Sequence, residues 1–222
     1  MNIQKHKKKI LIIGDSICLS RTKPEKVELF DTWPNLLNKK NEFELIQLAI
    51  GGGTIGTLNE QAHYYEACCP DIVIIQSGIV DCVPRALGWL EKEVINSSRF
   101  LSFLSNRFIP INFMRKYRKL TYTSKKNYEK TIKEFTKRFS NSKIIFIGIL
   151  PATKEYEKMI PGISKNINEY NKIIEKQITK DFFYINTVNI PIDGFMSDHH
   201  HLNSIGHRWL AEVILSSIKE KL

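Results

Sequence analysis

Long hydrophobic runs are absent from this chain. Nothing approaches the roughly 20 consecutive apolar residues of a membrane-spanning helix, so no such span is expected. Cysteine is scarce and poorly spaced for chemistry. Positions 18, 68, 69 and 82 include one adjacent pair and no C-x-x-C, which argues against a disulfide framework and against a zinc site. The four read as reduced thiols, mostly filling core. The phosphate-cradling pattern G-x-x-x-x-G-K-[ST] is missing, as are internal repeats and low-complexity tracts. Acidic residues almost vanish between residues 99 and 143, where 13 Lys or Arg face only Glu129 and Glu134, and the whole excess behind the net charge of +10 sits there. The basic cluster from Lys5 to Lys9 is followed by only four apolar residues before Gly14, too few for the apolar part of a signal peptide, so a cytoplasmic location is expected. The 222 residues fit one domain, residues 1–222, large enough to bury a core without disulfide or metal.

What is present is alternation. Ile10 to Ile13, Phe43 to Leu48, Ile72 to Gln76, Ile144 to Ile149 and Phe182 to Ile185 read as strands, near-continuously apolar as parallel strands covered on both faces are. Between them, Tyr128, Ile132, Phe135 and Phe139 recur at helical spacing, as do Ile163, Ile167, Tyr170 and Ile174. A last helix carries Ile205, Trp209 and Val213 beside Leu210, Ile214 and Ile218, with Asn203 or Ser204 as its N-cap. The pattern predicts an α/β fold: a doubly wound, five-stranded parallel sheet with helices on both faces, three layers in all. Residues 84–124 break the alternation and are too long for a simple βα connection. They mix Trp89, Phe100, Phe103, Phe108, Phe113, Tyr117 and Tyr122 with Arg99, Arg107, Arg115, Lys116, Arg118 and Lys119, and read as a partly helical insertion forming a lid near the site.

Two segments carry the chemistry. Gly14-Asp15-Ser16 ends the first strand, and Asp198-His199-His200-His201 stands near the other end of the chain. A serine hydroxyl is a weak nucleophile until a base removes its proton, and that base works best when a third group holds it. Ser16, His201 and Asp198 are therefore the candidate catalytic triad. Asp15 reads as structural, tying the turn to its own backbone. The histidine run raises the question of a metal. Neighbouring side chains in loop backbone should diverge, and no Cys/His pair stands elsewhere to complete a site, so no metal or other cofactor is expected. His207 reads as a surface position of the last helix. Ligand crevices in open parallel sheets lie beyond the carboxyl ends of the strands. Ser16, the run Gly51-Gly52-Gly53-Thr54, the segment Gly78 to Asp81 and the Asp198–His201 loop all follow strand ends.

These blocks resemble those of the SGNH hydrolases, the GDSL esterase/lipase superfamily, whose fold is flavodoxin-like. Gly14-Asp15-Ser16 matches the nucleophile block, and Trp33-Pro34-Asn35-Leu36-Leu37 the W-P-x-L-L often seen on the first helix. The run Ala49-Ile50-Gly51-Gly52-Gly53-Thr54 matches the second block, and Asp198-His199-His200-His201-Leu202-Asn203 the final D-x-x-H-P-N, with Leu202 where proline is usual. The resemblance covers most of the chain outside 84–124. It implies a two-step acyl transfer through an acyl-enzyme, with the oxyanion hole formed by the backbone N–H groups of Ser16 and Gly52. One departure stands out. The third block usually reads G-x-N-D, its asparagine being a further oxyanion donor; here Gly78-Ile79-Val80-Asp81 puts Val80 at that position. Losing one such donor typically costs about 100- to 1,000-fold in turnover, roughly 3 to 4 kcal/mol.

The longer segment Gly78-Ile79-Val80-Asp81-Cys82-Val83-Pro84-Arg85 resembles a variant found in bacterial surface-polysaccharide gene clusters. The resemblance therefore implies a serine esterase removing short acyl groups, O-acetyl above all, from a carbohydrate. An O-acyltransferase with the same triad, or a non-catalytic glycan-binding protein keeping the fold, are the alternatives; Val80 favours the last. Arg85 is a candidate to bind a substrate carboxylate or to replace the missing donor, against the plainer reading of a surface salt bridge. Asp81 is a second substrate-binding candidate, against the plainer reading that it orders its loop. The basic segment 99–143 reads as a solvated face, as a contact for an acidic glycan or nucleotide-sugar, or as a peripheral contact with an anionic membrane surface. Nucleic acid is not expected, because no recognised binding motif accompanies the charge.

Overall fold

The computed structural model describes residues 7–39, 42–88, 91, 97, 110–118 and 120–221. Five strands, β1 (Lys8–Gly14), β2 (Phe43–Ala49), β3 (Ile72–Gln76), β4 (Lys143–Ile147) and β5 (Phe182–Ile185), form one sheet in the order β2-β1-β3-β4-β5. All four pairings are parallel, the flavodoxin-like order of doubly wound folds. The fold class expected from the alternation is the one observed.

The strand sequences explain the layering. Side chains alternate across a strand, so an unbroken apolar run supplies both faces of a sheet. In β1, Leu11 and Ile13 join one buried cluster with α2 (Ile55–Ala62), α5 (Lys125–Arg138) and α7 (Ile163–Glu175), whereas Ile10 and Ile12 join a second with α1 (Trp33–Leu37) and α8 (Ser204–Lys221). The expected positions Tyr128, Ile132 and Phe135 on α5, and Ile163, Ile167, Tyr170 and Ile174 on α7, are all buried in the first cluster. On α8 the buried stripe is Leu210, Ala211, Ile214 and Ile218, while Ile205 is exposed. Asn203, rather than Ser204, caps that helix: its Oδ1 accepts from the N–H groups of Ile205 and Gly206.

His207 corrects the sequence reading. It is 1 % exposed and its Nδ1 accepts the backbone N–H of Trp33 at 3.1 Å, joining the W-P-x-L-L helix to α8. The first helix begins at a buried tryptophan, with Pro34 in the first turn where a missing N–H costs nothing. All four cysteines are free; Cys18 and Cys82 fill core as expected, but Cys69 is exposed.

Register is what positions the site. Gly14 pairs with Ala49 on one side and with Gln76 on the other, so β1, β2 and β3 end level. β1 lies between the strands that follow it in sequence, which makes the edge above it the topological switch point where such sheets bind ligands. The insertion returns close to that edge: the Arg85 N–H donates to the Leu120 carbonyl at 2.8 Å. Its described part includes α4 (Ile111–Arg118), with Arg118 paired to Glu91, so the partly helical expectation holds there. Trp89, Arg99, Phe100, Phe103, Arg107, Phe108 and Lys119 lie outside the described residues.

Candidate active site

The turn after β1 is built around two buried residues. A Cβ on Gly14 would sit 2.0 Å from Cys18 Sγ, so glycine here makes room for that buried thiol under the turn. Asp15 is fully buried, accepts the Ile17 N–H at 2.9 Å through Oδ1, and donates its own N–H to the Gln76 carbonyl. Burial pushes its carboxyl up to about 7 despite the Ile17 hydrogen bond. Ser16 is thereby held half-buried at the carboxyl edge of the sheet.

The loop after β5 delivers its partners. His201 Nε2 lies 3.0 Å from Ser16 Oγ, and His201 Nδ1 lies 2.7 Å from Asp198 Oδ2. The other carboxylate oxygen accepts the backbone N–H groups of His201 and His200 at 3.0 and 3.2 Å. Burial would raise the Asp198 carboxyl, but these donors and the His201 ring outweigh it and bring the group to about 2. Burial pushes His201 down to about 4, against the opposing pull of the Asp198 hydrogen bond. The imidazole is therefore neutral at ordinary pH, its Nδ1–H directed to Asp198 and its Nε2 lone pair open to the serine proton. The geometry brings Ser16, His201 and Asp198 into one hydrogen-bonded chain across 185 residues of sequence.

Activity that needs neutral His201 disappears as pH falls through its pKa. The acid limb of kcat/KM should therefore lie near pH 4, with the rate at pH 5.5 within about two-fold of that at pH 7.5. A limb centred near pH 6.5, the ordinary histidine value, would contradict it.

Around this chain lies a crevice of about 440 Å³, lined by Ser16, Arg21, Gly51, Gly52, Ile79, Val80, Val83, Arg85, Tyr156, Ile160, His200 and His201. Gly52 has φ +72°, a conformation that disfavours any side chain. Its N–H and that of Ser16 take no protein acceptor among the described hydrogen bonds, which leaves both available to a developing oxyanion. Val80 sits in the lining where it offers only methyl groups.

Asp81 follows its plainer reading, that of ordering its loop, and not the substrate-binding one. Rather than facing substrate it is fully buried, its carboxylate accepting the Ile55 N–H at the start of α2 and the Thr123 hydroxyl, with the Ser77 hydroxyl at 3.5 Å. It ties the second and third blocks and the end of the insertion together. Burial raises its pKa.

Arg85 does reach the crevice, with its guanidinium carbon 3.7 Å from the centre of the Tyr122 ring. Arg21, which sequence reasoning missed, donates to the Ser16 carbonyl at 3.2 Å; its place five residues past the nucleophile was the available signal. Tyr156, Ile160 and His200 were missed as well. Tyr156 comes from α6 (Lys154–Met159), a segment with no motif, and its ring stacks on His200 at 5.0 Å.

The histidine rings do not diverge as expected. Those of His200 and His201 are 3.9 Å apart, and Asp198, His200 and His201 could offer ligand atoms within 4.8 Å of one another. A cation there would take either the Nδ1 that His201 shares with Asp198 or the Nε2 lone pair that faces Ser16, and either would break the chain. The donor set fits a proton-transfer chain better than a metal centre.

The profile of the GDSL-like lipase/acylhydrolase family matches residues 12–209. None of the curated proteins compared with the chain matches it. Among solved structures, the lipase/acylhydrolase from Enterococcus faecalis superposes with a TM-score of 0.68 at 16% identity, over 97% of each chain. A member of the lipolytic G-D-S-L family from Veillonella parvula gives 0.60 at 12%, over 96% of this chain and 98% of that one. The psychrotrophic esterase EstA from Pseudoalteromonas sp., in a structure inhibited by monoethylphosphonate, gives 0.52 at 18%, over 96% and 97%. At such identities these likenesses speak for the fold, whereas the profile spans most of the chain and includes Ser16 and His201. The protein belongs to the GDSL-like lipase/acylhydrolase family and is a serine hydrolase.

Proposed function

We propose that the protein hydrolyses short acyl esters, O-acetyl above all, on a carbohydrate of a surface polysaccharide. The observation that carries the esterase part is the Ser16–His201–Asp198 hydrogen-bonded chain opening on a crevice. Two features support the substrate. The apolar walls described near the serine are the short side chains of Ile79, Val80, Val83 and Ile160, which suit a small acyl group. A second, more polar groove lies alongside, lined by Pro84, Glu157, Pro161, Gly162 and Asn166 among others, so that the segments 83–85, 156–157 and 160–162 give walls to both. An extended, hydroxyl-rich chain suits that surface.

In this reading Ser16 Oγ attacks the ester carbonyl carbon while its proton passes to His201 Nε2, and Asp198 stabilises the imidazolium. The negative charge on the carbonyl oxygen is met by the N–H groups of Ser16 and Gly52. Collapse expels the sugar hydroxyl, which takes the proton from His201. Water then attacks the acyl-serine, giving its proton to His201, and free acid leaves as Ser16 regains its hydrogen.

The test is acetate release from acetylated sugars by the wild type and by Ser16→Ala. Release that depends on Ser16 is expected. Release undiminished by Ser16→Ala would sink the proposal, and acetyl groups appearing on an added sugar in place of free acetate would make the protein a transferase.

A further inference from the structure

We propose that Arg85 selects the substrate by binding a carboxylate or phosphate on the acylated sugar, beside the ester held at Ser16, so that the substrates are anionic sugar esters. The proposal rests on the esterase reading above and adds the charge class of its substrate.

Arg118 pairs with Glu91 and Arg138 with Glu66. Arg85 has no carboxylate within 4.0 Å among the described residues, and its Nε is buried without a hydrogen-bond partner. Burial lowers its pKa from the ordinary arginine value. A half-buried guanidinium without a counter-charge is costly, and the cost is offset when an anion arrives. The side chain is also held in place. Its backbone N–H is bonded to Leu120 and its guanidinium lies against Tyr122, both from the returning end of the insertion. A flat guanidinium fixed on an aromatic face presents its N–H fork to a carboxylate or phosphate with little ordering left to pay for.

The surroundings agree in sign. Among the described residues no Asp or Glu lines the crevice, where Arg21 and Arg85 are the permanently charged ones; Asp198 stands behind His201, its carboxylate taken up by that ring and by the loop N–H groups. Arg21 is already engaged with the Ser16 carbonyl. Among the described lining residues, Arg85 is thus the permanent cation with no protein acceptor shown for its guanidinium, in the same crevice as the nucleophile.

The experiment compares three O-acetylated methyl glycosides: glucoside, glucuronoside and glucoside 6-phosphate. For the wild type, kcat/KM for at least one anionic ester should exceed that for the neutral one by about 10- to 100-fold, the worth of a charge-assisted hydrogen-bond pair. Whichever of the two leads identifies carboxylate or phosphate as the natural group. In Arg85→Gln the ratio should fall to about one, and Arg85→Lys should keep part of it, since the charge survives without the fork. Melting curves check that the variants fold.

A wild-type ratio near one overturns the proposal. So does a ratio unmoved by Arg85→Gln, or an equal loss on all three esters, which would make Arg85 an oxyanion donor or a structural residue. Binding of the three unacetylated glycosides to Ser16→Ala, followed by calorimetry, separates the two readings. Arg85-dependent binding of the anionic glycosides without any turnover would uphold the anion site and sink the esterase. Turnover without charge preference or anion binding would do the reverse.

Discussion

Ser16→Ala should lower kcat by about 10⁴- to 10⁶-fold on any ester the protein turns over, leaving only what binding and the oxyanion donors supply. The expectation follows from the 3.0 Å contact between Ser16 Oγ and His201 Nε2, and among the described lining residues the one other hydroxyl is the buried phenol of Tyr156. Asp198→Asn should cost nearly as much, about 10⁴-fold, for a different reason. The amide oxygen can still accept the backbone N–H groups of His200 and His201, so the loop keeps its shape. Its NH₂ would then meet His201 Nδ1 and drive the ring proton to Nε2, where it can no longer accept from serine. Parallel kcat measurements on the two variants, with melting curves to show the fold intact, check this. A loss under about ten-fold for Asp198→Asn would mean that the carboxylate merely builds the loop.

Val80→Asn should act in the opposite direction. Val80 lines the crevice with Ser16 and Gly52, on α3 (Ile79–Cys82), whose start is fixed by Gly78 at φ +128°. That glycine has no room for a Cβ, which would lie 2.5 Å from the Ile149 side chain, so the segment's path is set independently of residue 80. An asparagine there would add a side-chain donor to the two backbone N–H groups. Removing such a donor from an enzyme that has one costs about 100- to 1,000-fold, and a gain of about 10- to 100-fold in kcat is expected here, smaller because the surroundings have not been shaped around it. An unchanged kcat with Val80→Asn would mean that another group already completes the hole, with Arg21 and Arg85 the first to test.

Much of this was legible in the residues. The apolar runs fixed strand positions because a strand covered on both faces has no polar face to show, and Ile72–Gln76 and Phe182–Ile185 come out with the expected ends. The pairing of Ser16 with His201 was legible through the chemistry and family likeness of their two blocks and through topology: no spacing rule connects residues 185 apart, but strand ends of a parallel sheet share one edge. What failed was the environment of single polar side chains. For Asp81 the loop-ordering role was legible but its full burial was not, since that depends on Thr123 arriving from the far end of the insertion. His207 could have been found, since it lies on the same helical stripe as Leu210, Ile214 and Ile218. The contact of Arg85 with Tyr122 could not, because nothing local sets where a long insertion returns.

Covalent labelling by an organophosphonate, read by peptide mass spectrometry, shows whether Ser16 is an activated nucleophile. Phosphorus reagents of this kind react with a serine only when a neighbouring base activates it. One adduct is expected, on the peptide carrying Ser16, formed rapidly by the wild type and slowly or not at all by His201→Ala. No adduct at Ser16, or labelling equally fast without His201, would contradict it: the serine would then be a turn residue at the end of β1, and the crevice a binding site without a nucleophile.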